Sequence, residues 1–288
     1  MHLETGFLSG RKRALAAVAA LTLGLALALG GCGGGGGAAG TAANGGSSTP
    51  NIDAIKSRGV LRVGVKADVL GFGYKNPQTN QYEGYEIDIA HELAKRLLGD
   101  PNKVELTTVT AKTRQGLLDS GQVDMVIATF TITPERQKVI DFSPVYYTDG
   151  IQLLVKRDSG IKSLKDLNGK VIAVAQGADT GQKLQEKAKE LGVTIQTAEY
   201  ASYAEDMAAL QNGRAQAFAT DGSILKYYEN QDPSTVILPD RYSEEPYGIA
   251  IKKGNKDLLD FVTKAIDDMK QSGELQQLIR KWKLSGSV

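Results

Sequence analysis

Residues 84–98 read Gly84-Tyr85-Glu86-Ile87-Asp88-Ile89-Ala90-His91-Glu92-Leu93-Ala94-Lys95-Arg96-Leu97-Leu98. Ile87, Ala90, Ala94 and Leu97 recur at spacings of three, four and three, which draws one apolar stripe along a helix. A helix with a single stripe must cover something, and the flanking sequence supplies strands for it. Short apolar runs at 61–65, 104–109 and 124–128 have strand length and strand composition, and a second set follows at 171–175, 195–200 and 215–220. Helical patterns separate most of these runs, and Leu259, Val262, Ile266 and Met269 form another stripe near the end. Strands alternating with one-faced helices predict an α/β fold built on parallel units. The series runs twice, before and after about Gly150.

Two extended segments, 151–156 and 247–252, bracket the second series. They predict two lobes joined by two crossings, with the C-terminal helices returning to the first lobe. The expected divisions are 51–149 for lobe one, 150–246 for lobe two, and 247–288 for the hinge return and terminal helices.

The 288 residues carry 34 basic and 33 acidic side chains, and 41% are apolar. A charge so nearly balanced gives no reason to expect nucleic acid as partner. One cysteine excludes an internal disulfide. Two histidines, His2 and His91, are too few for a zinc site or a positioned hydrolytic triad. No metal and no cofactor are expected, and His91, inside the first striped helix, reads as structural.

Arg11, Lys12 and Arg13 precede an apolar run over 14–29, shorter than the roughly 20 residues that span a bilayer as a helix. Residues 1–31 therefore read as a signal peptide. The run closes on Leu29-Gly30-Gly31-Cys32, which resembles the lipobox of bacterial lipoproteins. That resemblance implies lipidation at Cys32 and an extracytoplasmic protein anchored to the membrane. From Gly33 to Pro50, eight of eighteen residues are glycine and none is charged. Such a segment cannot bury enough surface to offset its ordering entropy. It reads as a tether, 32–50, with a root-mean-square reach on the order of 25 Å.

Gly84 to Ile89 with Leu93, Ala94 and Leu97 resembles the signature of the type 3 family of bacterial extracellular solute-binding proteins. Asp124 to Ala128 running into Thr131-Ile132-Thr133-Pro134-Glu135-Arg136, then Ile140-Asp141-Phe142-Ser143 with Tyr146-Tyr147, is similar to the family's second hallmark. The likeness continues through Leu167-Asn168-Gly169-Lys170, Gln176-Gly177, Asp221, Tyr247-Gly248 and the stretch from Gly273 to Trp282. It implies a two-lobed periplasmic-binding-protein fold with a ligand cleft between the lobes. The implied function is to close on a polar amino acid and hand it to the permease and ATPase of an ABC importer, as a monomer and without catalysis.

Thr133 before Pro134 reads as an N-cap followed by proline at the first helical position. Arg136 then sits in the first turn, where a cation opposes the helix dipole by about 0.3–1 kcal/mol and calls for an anion. The resemblance assigns Arg136 to a ligand α-carboxylate; a local pair with Glu135 or Asp141 is the ordinary alternative. Thr129, Thr131 and Thr133 alternate as along a strand, sharing a face. The resemblance gives the backbone at Thr129 and the hydroxyl of Thr131 to the ligand, although β-branched residues are also plain strand formers. Asp221 reads as an N-cap, and by resemblance as acceptor for the α-ammonium. Thr180 opens a helix whose free N–H groups suit an anion, but Asp179 beside it would repel one.

Lys66 and Arg114 decide the expected ligand. In relatives that bind cationic amino acids, the position of Lys66 is commonly aspartate, and Arg114 matches an arginine of the aspartate- and glutamate-binding branch. Each alone could be a solvated surface charge. With Arg136 they provide for two carboxylates, so the expected ligand is aspartate or glutamate, with glutamine or another polar amino acid as alternative. Val69 stands where many relatives stack an aromatic, and Phe72 or Tyr74 could replace it. A dehydratase of the cyclohexadienyl kind and a non-transport sensor or adhesin on the same fold are the remaining alternatives.

Overall fold

The computed structural model describes residues 51–288. The expected signal peptide, Cys32 and the whole tether lie outside the described residues. Lobe one begins with α1 (Ile52–Arg58), β1 (Leu61–Val65), β2 (Asp68–Val69), β3 (Gly73–Lys75), β4 (Tyr82–Glu83) and α2 (Tyr85–Leu98). It continues through β5 (Val104–Thr108), α3 (Arg114–Asp119), β6 (Met125–Ile127), α4 (Pro134–Gln137) and β7 (Ile140–Phe142). After β8 (Tyr147–Asp149), lobe two holds β9 (Ile151–Lys156), β10 (Val171–Ala175), α5 (Thr180–Glu190), β11 (Gln196–Tyr200) and α6 (Tyr203–Gln211). Then come β12 (Ala217–Asp221), α7 (Gly222–Gln231) and β13 (Thr235–Ile237). The chain returns through β14 (Glu245–Tyr247) to β15 (Ala250–Lys252), α8 (Lys256–Gln271) and α9 (Glu274–Lys281).

Each lobe is built on a five-stranded sheet, ordered β5-β1-β6-β15-β7 in the first and β11-β10-β12-β9-β13 in the second. In each, four strands run in one direction and a single interior strand, β15 in the first and β9 in the second, runs antiparallel to both of its neighbours. The parallel units are as the alternation predicts. The antiparallel strands are what the chain adds when it crosses between lobes, since β9 enters lobe two and β15 re-enters lobe one against the local strand direction.

The expectation that 151–156 and 247–252 are the crossings needs correction. Residues Ile151–Lys156 are a central strand of lobe two, and Ala250–Lys252 lies inside the lobe-one sheet. The crossing strands are β8 and β14, paired antiparallel from Glu245↔Asp149 to Tyr247↔Tyr147. Apolar period identifies a strand but not the sheet it joins, which is why 151–156 misled.

Local sequence explains why α2 sits where it does. Gly84, with φ +138, precedes it, and a Cβ there would lie 2.0 Å from the Phe72 carbonyl oxygen. Only glycine fits, so the chain can turn tightly into the helix. Ile87, Ala90 and Ala94 are then buried against the sheet as the spacing predicts, and Leu97 is packed at the rim. In α8 the stripe is Leu258, Val262, Ala265, Ile266 and Met269, with Leu259 only partly buried.

Beside the crossing strands, Phe72, Tyr85, Tyr146, Tyr147 and Tyr247 are fully buried. Phe72 and Tyr147 meet edge to face at 4.9 Å, within the range of favourable aromatic pairs. Tyr85 donates to the Tyr146 carbonyl at 2.6 Å. Phe72 is thus committed to packing and Val69 is buried as well, so neither presents a stacking face to a ligand. Tyr74 instead stands 6.4 Å from Tyr227 of lobe two. His91 donates from Nδ1 to the Pro101 carbonyl at 2.7 Å, in a structural role.

Candidate functional site

In an open α/β sheet, the carboxyl ends of the strands are where loops can converge on a ligand. Here Lys66 follows β1, Thr129 follows β6, residues 176–180 follow β10, and Asp221 ends β12. Between Lys66, Asp68 and Ala111 of lobe one and Gln176, Ser202 and Tyr203 of lobe two lies a cavity of about 10 Å³. That is roughly room for one water. Anything larger enters this space only if the lobes move apart.

Lys66 is buried, with its ammonium 3.7 Å from Asp68 and 4.5 Å from the centre of the Tyr203 ring on the other lobe. Burial lowers its pKa, with Arg114 adding to the fall and Asp68 and Glu86 opposing it. Arg114 opens α3 and is also buried. Its Nη1 donates to the carbonyls of Ala128 at 2.7 Å and Thr129 at 3.1 Å, and its guanidinium lies 3.6 Å from the centre of Phe130. Burial first, then Arg136, pull its pKa down to about 10, so it stays charged at neutral pH. Its Nε has no hydrogen-bond partner.

Thr133 caps α4 as its sequence predicts, accepting from Arg136 N at 3.2 Å, with Pro134 at the first helical position. Arg136 Nη1 donates to the Thr131 carbonyl at 2.8 Å, and Nη2 to Asp179 of lobe two at 3.4 Å. Its anion is therefore neither Glu135 nor Asp141, the latter being held by Lys253 at 2.7 Å.

The threonines do not alternate along one strand, a correction to the shared face expected of them. β6 ends at Ile127, and Thr129 adopts φ +42. A β-branched residue in the left-handed region is strained and has to be held. Glu86 holds it, accepting from Thr129 N at 2.6 Å while Tyr146 donates to the same oxygen at 2.5 Å. Fully buried, the Glu86 carboxyl is pushed up to about 7. Thr131 is buried and bridges Tyr247 of the returning strand.

On lobe two, Thr180 is buried at the start of α5. Asp221 precedes α7 but does not cap it. Its Oδ2 accepts a very short bond from the Tyr247 hydroxyl. Burial first, then Asp149 and Glu245, raise its pKa well above the ordinary carboxylate range. No basic side chain among the described residues forms an ion pair with it. Tyr203 of lobe two meets Lys66 of lobe one through its ring, and burial, then Asp221 and Asp68, raise the pKa of its hydroxyl while Arg114 lowers it.

The structure brings Lys66, Arg114, Thr129, Thr131 and Arg136 together on lobe one, sets Asp221 near them across Tyr203, and places Thr180 next to Asp179 at the start of α5 without a contact to the others. Sequence reasoning missed Glu86, Asp68, Phe130 and Tyr203. A glutamate two residues into an amphipathic helix gives no sign of burial, Phe130 and Tyr203 act through contacts distant in sequence, and Asp68, only two residues from Lys66, lies in a loop whose conformation the sequence does not disclose. Among the described residues, no group of three or more potential ligands could hold a metal ion, and no helix is long and apolar enough to cross a membrane.

A model of the family described as bacterial extracellular solute-binding proteins, family 3, matches residues 61–285. The glutamine-binding protein of Geobacillus stearothermophilus is 46% identical over 211 residues, covering 73% of this chain and 79% of that protein. The ABC transporter glutamine-binding protein of Bacillus subtilis is 40% identical over 238 residues, covering 82% of this chain and 85% of the relative. Among solved structures, the solute receptor for L-cysteine of Neisseria gonorrhoeae superposes with a TM-score of 0.74 at 31% identity, over 80% of this chain and 92% of that one.

Proposed function

The chain belongs to family 3 of the bacterial extracellular solute-binding proteins, and from that premise we propose that it is the receptor of an ABC importer for L-glutamine, gripped by closure of the two lobes. The observation that carries the reading is Asp221, a buried carboxylate with no ion-pair partner among the described residues. A desolvated carboxylate calls for a full positive partner, and an α-ammonium provides one. Arg136 takes the α-carboxylate as a planar fork. Thr129, Thr131 and Thr180 supply polar groups around it.

Charge balance favours an uncharged side chain. Lys66 is paired with Asp68 and Arg136 with Asp179, and Asp221, whose pKa burial raises in the absence of a cation, supplies the third negative charge against Arg114 once an α-ammonium faces it. The acidic-ligand expectation counted the three cations but not Asp68 or Asp179 as partners. A zwitterion with a neutral amide leaves the sum at zero, whereas a second carboxylate adds an unbalanced charge, and any ionised fraction of Glu86 adds another. An amide also needs both a donor and an acceptor opposite it, which Arg114 or Lys66 and Asp68 supply. Aspartate or glutamate remains the second reading, favoured by the unpartnered Nε of Arg114. Neither reading asks the site for chemistry beyond binding. Anchoring through a lipid on Cys32 would hold the receptor beside its permease.

A thermal-shift screen of the full chain against the twenty amino acids tests the reading. Ligand at about 100 times its Kd adds roughly 2.7 kcal/mol to stability. L-glutamine should raise Tm most, and a screen in which no amino acid moves Tm would sink it.

A further inference from the structure

The guanidinium assigned to a ligand carboxylate already holds a carboxylate of the opposite lobe. Arg136 Nη2 donates to Asp179 Oδ1 at 3.4 Å. The other oxygen of Asp179 lies 2.7 Å from Lys183 Nζ. That same ammonium donates to both oxygens of Glu245, at 2.7 and 2.9 Å. Glu245 is the first residue of β14, one of the two crossing strands. Charges of alternating sign therefore run without a break from lobe one, through lobe two, to the hinge. The side chains of Arg136 and Asp179 are only 14% and 18% exposed, so solvent screens this pair less than a surface one.

The donors of Arg136 limit what it can do. Nη1 is spent on the Thr131 carbonyl, leaving Nε and Nη2 as the edge for a two-point grip. Asp179 draws on that same edge, and two carboxylates crowded on one guanidinium repel each other. Lys183 offers Asp179 somewhere else to go, since it is already in contact.

We propose that Asp179 is an internal competitor for Arg136, so that a ligand's α-carboxylate takes the guanidinium by displacing Asp179 onto Lys183. The proposal rests on the assignment of Arg136 to the ligand carboxylate. Binding is then an anion exchange across the cleft, and Asp179 sets the affinity without touching the ligand. Lys183 ties the exchange to the hinge through Glu245. The repulsion expected from Asp179 beside a bound carboxylate becomes, in this account, the force that drives it away.

Asp179→Asn tests this in the full chain, and asparagine keeps the N-terminal position of α5 well served. Calorimetry with L-glutamine should give a Kd about three- to tenfold lower than the parent's, because no ion pair has to be broken first. The second measurement uses no ligand. Spin labels replacing the exposed Lys95 on lobe one and Lys226 on lobe two, in a Cys32→Ala background, report lobe separation by electron double resonance. Loss of the cross-lobe pair should lengthen that distance in Asp179→Asn, and high salt should lengthen it in the parent but not in the variant. An unchanged distance, or L-glutamine binding no tighter in the variant, overturns the proposal. Because the distance needs no amino acid, it decides the role of Asp179 even where L-glutamine fails to bind the parent, a result that would count against the assigned function instead.

Discussion

Gly177→Ala should weaken ligand binding through the closed state alone. Gly177 lies on lobe two at φ +80, and a Cβ built there would stand 2.8 Å from the Lys112 Cα and 2.9 Å from the Ala111 carbonyl oxygen of lobe one. Both obstacles are backbone, so neither can swing aside as a side chain would. The substitution has two costs. Alanine in the left-handed region costs roughly 1–2 kcal/mol wherever the lobes are, and this lowers global stability. The clash arises only when the lobes meet, and overpacking of this kind costs typically 1–3 kcal/mol, which is about a 5- to 150-fold rise in Kd. Gly192 separates the two, having φ +72 with nothing within 4 Å of its Cβ. Gly192→Ala should therefore lower Tm by several degrees and leave Kd at the parent value. Calorimetric titration of both variants with L-glutamine, beside thermal melts, is the assay. Equal Kd values for Gly177→Ala and the parent, or equal weakening in both variants, would refute the reasoning that this seam closes on the ligand.

Asp221→Asn removes the only negative partner proposed for the ammonium and should raise Kd at least about 30-fold, from a loss on the order of 2–5 kcal/mol; retained affinity in calorimetry would move the ammonium site elsewhere. Asp206 is fully buried on α6 with no hydrogen bond to either oxygen, and burial pushes it up to about 8. Its folded-state pKa lies above the unfolded value, so it keeps a proton that the unfolded chain releases, and stability falls as pH rises from about 4 to 8. Asp206→Asn should flatten that fall, raising Tm at pH 8 and leaving it unchanged near pH 4; parallel Tm curves for variant and parent would contradict the assignment. Cys32→Ala should shift the protein from the detergent phase to the aqueous phase, and identical partitioning would rule out the lipid anchor.

Much of lobe one was legible because its signals are local. The stripe of α2, the Thr133 cap with Pro134, and the strand at 61–65 each depend on neighbours within a few residues, as does the strand at 171–175 in lobe two. Three features were hidden for one shared reason. The sheet that residues 151–156 join, the cross-lobe partners of Lys66 and Arg136, and the burial of Glu86 are all set by contacts between distant segments. A charge count over a proposed cleft errs in the same way, since Asp68 and Asp179 neutralise cations that sequence alone leaves free. Thr129 shows the limit most plainly, because a β-branched residue after an apolar run reads as strand until a buried carboxylate bends its backbone out of it.

The most direct test is paired calorimetry of the full-length protein with L-glutamine and L-glutamate under one buffer and salt condition. A site whose charges balance around a zwitterion should bind L-glutamine at least about tenfold more tightly, since an extra buried carboxylate has no unclaimed cation. Tighter binding of L-glutamate would contradict that balance and return Lys66 and Arg114 to the role of side-chain carboxylate partners.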